Sequence, residues 1–158
     1  MGKEKEVLLH EIEGLYRQKH LLLTGYLEMA QTQASMLEAG EWEKVAAVLA
    51  AKDKRIAEIN RLDACRENCL AELRAFPGQA AAENTFAADE PDVAAAREAI
   101  RSRLEEIRAV EATNAAAVKR RAEELAREIG GMRQRKAAAA SYGHPHPGSG
   151  SAFIDKKK

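Results

Sequence analysis

The 158-residue sequence is poor in the residues that build a deep globular core or a cross-linked scaffold. Aromatic residues make up 4% of it, and it contains two cysteines and four prolines. Charged residues make up 32%, and alanine supplies much of the 46% that is hydrophobic. This composition is typical of long helices and coiled coils. It predicts an all-α protein with narrow contacts between helices, and argues against a β-sandwich or an α/β enzyme.

Neither sign of charge is in excess. The chain has 25 basic and 25 acidic residues, so no overall electrostatic signal favours nucleic acid or a membrane surface. Basic residues do collect late in the chain, at Arg133, Arg135, Lys136 and residues 156–158. We interpret them as a solvated basic end and expect no nucleic-acid partner.

The sequence also lacks a signal peptide pattern and a long apolar run. Its charged start, MGKEKE, leads into an amphipathic segment, and no run approaches the roughly 20 apolar residues that span a bilayer. Cys65 and Cys69 lie four residues apart on a predicted helix, where disulfide geometry is hard to reach. We therefore expect a cytoplasmic protein with no stable membrane insertion.

Motifs of catalysis and metal binding are missing. The sequence has no glycine-rich phosphate loop, nucleophile elbow or paired-carboxylate context. Cys65 and Cys69 have no further ligands at a zinc spacing. His144 and His146 alternate with prolines, and we interpret them as surface residues. We expect no catalytic residue, metal or cofactor, and therefore no enzyme.

What the sequence does contain is a helix, a short corner and a second helix. Gly40 can adopt the left-handed conformation that closes a helix, and a corner this short makes the two helices antiparallel neighbours. Beyond it, one helical face carries Trp42, Val45, Leu49, Lys52, Ile56 and Ile59. The pattern predicts helices over about residues 3–38 and 42–74.

Polar residues interrupt the apolar lines of both helices. Helix 1 repeats apolar residues in sevens from Leu8 to Met36, but Lys19 and Gln33 occupy positions between them. In helix 2, Asp63 and Arg66 also interrupt the apolar line. We interpret them as polar side chains that extend into solvent where that line shifts around the helix. Lys52 is expected to be hydrogen-bonded between helices, because an unpaired buried group costs roughly 1–3 kcal/mol.

A third helix is predicted over about residues 92–135. Asp89 suits a cap and Pro91 the first turn, and Asn114 falls on the apolar seam, where we expect it to bond to another helix. Gly130 and Gly131 predict fraying or a kink. We expect a helical bundle over residues 1–136 and, because proline, glycine and serine become dense, a flexible tail over 137–158.

These residues resemble the first hairpin of the FlgN family of flagellar export chaperones. The resemblance is carried by residues 37–45 (LEAGEWEKV), followed by Leu49, Lys52 and Ile56. It continues through the late helix with Asn114 to the ending with Tyr142-Gly and residues 153–157 (FIDKK). The fold expected is an elongated antiparallel three-helix bundle with a tail.

The resemblance implies a chaperone that binds the C-terminal helices of hook–filament junction proteins, prevents premature assembly and delivers them to the export gate and its ATPase apparatus. An amphipathic partner helix lying in a groove suits such a bundle. The residues expected to bind the client are Val118, Leu125, Ile129 and Met132. The residues expected to dock on the export gate are Tyr142, Phe153 and Ile154. The residues expected to have structural roles are Gly40, Trp42, Lys52 and Asn114.

Two other functions fit the same pattern. The chain could be a structural coiled-coil protein that associates with copies of itself, or the related chaperone of the filament-cap protein. A self-associating protein does not need aromatic docking residues in its tail, whereas a chaperone that carries a client to the export gate does need them. The stripe from Val118 to Met132 could also be ordinary bundle core, and the oligomeric state stays open.

Overall fold

A computed structural model describes residues 2–79 and 90–143, and within these residues it confirms the all-α prediction. It contains α1 (Lys5–Glu38), α2 (Trp42–Arg74) and α3 (Pro91–Tyr142). Contacts divide the chain into a first unit, Met1–Val118, and a second unit, Lys119–Lys158. The predicted start and end of α2 are confirmed, and α1 begins at Lys5.

The corner between α1 and α2 is a Schellman motif. Gly40 has φ of 74°, its amide donates to the Leu37 carbonyl (3.2 Å), and the Glu41 amide donates to Met36 (2.9 Å). These bonds satisfy carbonyls that the end of α1 would otherwise leave without partners. The left-handed backbone at Gly40 lets α2 start two residues later, at Trp42, which is half-buried.

The first unit is a three-helix bundle. Lys19 on α1 pairs with Asp63 on α2, and Gln33 pairs with Lys52, so residue numbers rise on one helix as they fall on the other. Helix α3 runs alongside α1 in the same direction: its Asn114 bonds to Ala30, and residues near its start share a groove with Tyr16. The hairpin is therefore antiparallel, as predicted, and α3 is antiparallel to α2.

The core of the first unit lies where the three helices meet. Its fully buried large side chains are Leu8, Ile12, Leu70 and Leu73, each contributing about 1.5–3 kcal/mol by leaving water. Helix α3 adds Val93, Ile100 and Ile107. Helix α1 buries residues on a broad stripe, because it contacts both α2 and α3.

The α2 face predicted from periodicity is only partly buried. Val45 and Lys52 are buried, but Leu49 and Ile56 on the same face are exposed. Periodicity identifies residues that share a face, but it does not say where a neighbouring helix covers that face.

Helix α3 is longer than predicted at its C-terminal end. It continues through Gly130 and Gly131 and ends at Tyr142, not near residue 135. Alanines at 137–140 have the highest helix propensity, so the helix persists into the segment assigned to the tail. The predicted boundary at 136/137 therefore falls inside α3. Asp89, the predicted cap, lies outside the described residues.

Candidate functional site: a polar cluster and an exposed apolar stripe

A polar cluster joins all three helices within the first unit. The Lys52 side chain is only 5% exposed, and its ammonium donates to Gln33 Oε1 (2.8 Å) and to Glu111 Oε1 (2.5 Å). The same ammonium lies 5.1 Å from the centroid of the Tyr26 ring, a cation–π distance. Lys52 on α2 thus contacts side chains of α1 and α3 at one level of the bundle.

Asn114 is the second polar residue buried between helices. Its Nδ2 donates to the Ala30 carbonyl (3.0 Å), while its Oδ1 is buried and accepts no hydrogen bond from a described residue. A helical carbonyl is an acceptor at a fixed position, so this bond sets the register of α3 against α1. Both Lys52 and Asn114 make the interhelical bonds expected from the sequence.

The partners in these contacts were not predicted from the sequence. Gln33 and Glu111 are polar residues on heptad positions, as is Lys52. Lys19 and Asp63, each interpreted separately as an interruption, form an ion pair of 2.7 Å. The available signal was that polar residues interrupt the seams of all three helices. Which interruptions meet depends on helix order and register, which composition and periodicity leave open.

The predicted client-binding residues on α3 are exposed. Within the second unit, Leu125, Ile129 and Met132 are 40%, 47% and 58% exposed. Their spacing of i, i+4 and i+7 places them on one helical face, which we call the apolar stripe. Val118, the last residue of the first unit, is 45% exposed. In this structure these side chains are exposed, and their assignment to client binding stays a prediction.

The predicted gate-docking residues are placed only in part. Tyr142 is 89% exposed and is the last residue of α3, and its predicted position in the flexible tail is therefore wrong. At about 100° per residue it lies roughly a quarter-turn from the apolar stripe. Phe153 and Ile154, like His144 and His146, lie outside the described residues.

The two cysteines have different surroundings. Cys65 is exposed, whereas Cys69 is buried and its thiol donates to Glu11 (3.6 Å). Burial raises the pKa of the Cys69 thiol, and the Glu11 carboxylate adds to the effect. Lys3 in turn bonds to Glu11 and lowers the pKa of that carboxyl. Both contacts join residues of the first unit.

Two features are absent from the described residues: a cluster of metal-ligating side chains and a membrane-spanning helix. No group of three or more histidine, cysteine, aspartate or glutamate side chains in the described part of the chain could hold a metal ion. Within residues 2–79 and 90–143, no helix combines the length and the hydropathy needed to cross a bilayer.

Comparison with protein families identifies the chain. The family model described as FlgN protein matches residues 1–146. The chain belongs to the FlgN family. This is a family of flagellar export chaperones, which is not known for enzymatic activity, and its members bind flagellar substrates. Neither the curated proteins nor the solved structures gave a significant match to the chain.

Proposed function

We propose that this protein is a cytoplasmic export chaperone that binds the C-terminal helices of hook–filament junction proteins and delivers them to the flagellar export gate. The observation that carries the proposal is the apolar stripe formed by Leu125, Ile129 and Met132. Among the described residues, none of the second unit is buried, so these side chains are free to contact another chain. Family membership supports the chaperone role in general.

The chemistry of the stripe fits a helical client. Anchors at i, i+4 and i+7 are the pattern by which one helix contacts another along a seam. An exposed apolar row on an otherwise charged helix is a feature that marks interaction sites. Client binding would cover the stripe, and a covered client helix could not pair prematurely with other subunits.

Calorimetry of the full chain with peptides of the junction proteins' C-terminal helices tests the proposal. Controls are the equivalent peptide of the filament-cap protein and a scrambled helix. We expect micromolar or tighter binding to the junction peptides alone. The variant L125E/M132E is expected to weaken it by at least about tenfold, because central apolar contacts contribute 1–2 kcal/mol or more each.

The matched control is Q134E/A138E, which adds the same charge on the opposite side of the helix. It should bind like the native chain. Junction-peptide binding that survives L125E/M132E would move the client site elsewhere. Binding to no peptide, together with a dimer in sedimentation, would favour the self-associating coiled coil, and binding to the cap peptide alone would favour that client instead.

For delivery, the proposal assigns gate docking to Tyr142, Phe153 and Ile154. The exposure of Tyr142 supports this role, because a solvent-facing aromatic ring is an effective anchor in an interface. Tyr142→Ala should reduce recovery of the export-gate component in a pull-down while leaving client affinity unchanged. Loss of client affinity instead would place Tyr142 in the client site.

A further inference from the structure

Three basic residues with no ion-pair partner among the described residues lie beside the far end of the apolar stripe. From Ile129 to Tyr142, the charged residues are Arg133, Arg135 and Lys136. In the described chain, no carboxylate lies within ion-pair distance of any of the three. The preceding turns differ, because Arg121 lies 3.4 Å from Glu124 and 3.6 Å from Glu128. One end of the stripe is therefore bordered by internal ion pairs, and the other by cations that pair with no carboxylate in residues 2–79 and 90–143.

Helical geometry places these cations around the stripe. Lys136 follows Met132 by four residues and Ile129 by seven, so it continues the line of the stripe. At about 100° per residue, Arg133 and Arg135 lie on opposite sides of that line. A helix packed on Ile129 and Met132 would therefore have positive charge on both of its borders and at one end.

We infer that the occupant of the stripe is an amphipathic helix whose apolar face is bordered by aspartate or glutamate where it lies against Arg133, Arg135 and Lys136. This rests on the proposed function, which makes the stripe the client surface, and adds the chemistry by which a client is selected. A helix with basic borders would bring like charges together, and complementary charge discriminates between partners of similar apolar content.

A protein helix fits the stripe better than a lipid surface does. Helices that lie on membranes combine a wide apolar face, usually with tryptophan or phenylalanine, with a basic border. Here the apolar face is one row of Leu125, Ile129 and Met132, and Glu128 lies beside that row. A narrow row with mixed charge at one end matches the seam of a partner helix.

The test uses the full chain and three synthetic amphipathic peptides with one apolar face and border residues that are all glutamate, all glutamine or all lysine. At low salt, the glutamate peptide is expected to bind at least about fivefold more tightly than the glutamine peptide, at about twofold per exposed pair. The lysine peptide should bind most weakly. In roughly 0.5 M salt the differences should largely disappear, because exposed charges are then screened.

Charge reversal on the protein is the more decisive experiment. R133E/R135E should reverse the preference, so that the lysine peptide binds more tightly than the glutamate peptide. R120E/R127E changes the net charge equally on the opposite side of the same helix and should keep the native preference. Circular dichroism establishes that both variants retain their helix content.

Three results would overturn the inference: no binding of the glutamate peptide, no preference among the peptides, or a preference unchanged by R133E/R135E. A fourth result would also overturn it. If the chain binds vesicles of phosphatidylserine and phosphatidylcholine as tightly as the glutamate peptide, and R133E/R135E abolishes that binding, the occupant of the stripe is a membrane surface.

The outcomes separate this inference from the proposed function. Junction helices that need the stripe, but bind R133E/R135E and R120E/R127E equally, would leave the function intact and refute the acidic border. Junction helices that fail to bind, while the glutamate peptide binds in a manner lost in L125E/M132E, would refute the function and retain the acidic border.

Discussion

The first unit and the second unit use the same helix in opposite ways. Up to Asn114, α3 buries a residue at each seven-residue step: Val93, Ile100, Ile107 and Asn114. A second row with the same seven-residue spacing, offset by four residues from Asn114, comprises Val118, Leu125 and Met132, and these residues are exposed. A heptad pattern thus indicates a face suited to a partner. Whether the partner belongs to the same chain is a separate question.

The two units are also stabilised differently. The first unit has a buried core, whereas every described residue of the second unit is half-buried or exposed. Helix formation there depends on alanine-rich propensity and on local ion pairs such as Arg121–Glu124, which contribute only tenths of a kcal/mol each. A helix of this kind gains stability when its apolar row is covered.

The largest expected difference between the units concerns apolar side chains. Leu70→Ala removes a fully buried side chain and should lower the free energy of unfolding by about 2–5 kcal/mol. The matched change Leu125→Ala, in the second unit, should alter it by less than about 0.5 kcal/mol. Urea denaturation followed by circular dichroism measures both. Equal losses would contradict the division into a core and an exposed helix.

Ion pairs should show the next largest difference. Glu111→Ala leaves the Lys52 ammonium buried without its carboxylate and should cost about 1–3 kcal/mol. Glu128→Ala removes an exposed partner of Arg121 and should cost less than about 0.5 kcal/mol. The same denaturation experiment compares them, and a Glu111→Ala variant as stable as the native protein would show that the polar cluster does not stabilise the bundle.

Glycine-to-alanine changes should have opposite signs in the two units. Gly40 has a positive φ of 74°, so Gly40→Ala should cost about 1–2 kcal/mol in the left-handed region. Gly131 lies within α3, and an added Cβ would meet nothing within 4 Å. Gly131→Ala should therefore stabilise its helix by up to about 1 kcal/mol. Hydrogen exchange of residues near each site measures the local change in stability. Stability changes of the same sign would contradict the assignment of a left-handed backbone to Gly40 and a helical backbone to Gly131.

The smallest expected effect concerns the rates at which the thiols are chemically labelled. Cys69 should react with a disulfide reagent at pH 8 several-fold more slowly than Cys65, because burial raises the pKa of the Cys69 thiol and lowers the population of thiolate. As a control, Ala126→Cys in a variant lacking Cys65 introduces a cysteine at an exposed position. It should react as fast as Cys65 does in the native protein. Equal rates for Cys65 and Cys69 in the folded protein would show that this part of the first unit opens readily.

Much of the fold could be predicted from local signals. Gly40 marked the corner and Pro91 marked the start of α3, because the backbone conformations that these residue types allow are a local property. The end of α3 was predicted too early. The alanines at 137–140 were assigned to the tail together with the proline-, glycine- and serine-rich segment that follows them, although alanine has the highest helix propensity.

The candidate site could be predicted only in part. The repeat identified Leu125, Ile129 and Met132 as residues sharing a face, since spacing alone determines that. It did not determine that these side chains are exposed, because exposure depends on contacts between residues that are distant in the chain. Nor did it pair Lys52 with Glu111 or Lys19 with Asp63, because such pairs join residues distant in the chain.

The sequence by itself therefore determined the helices, their corner and the faces they carry, because propensity, capping and periodicity act over a few residues. Only the tertiary structure decided which faces are covered. It buried Lys52 between Gln33 and Glu111 while leaving Leu49 and Ile56 exposed, and it left the row on α3 open beyond Asn114. Coverage depends on the order, direction and register of whole helices, which are set by the sum of many contacts between distant residues.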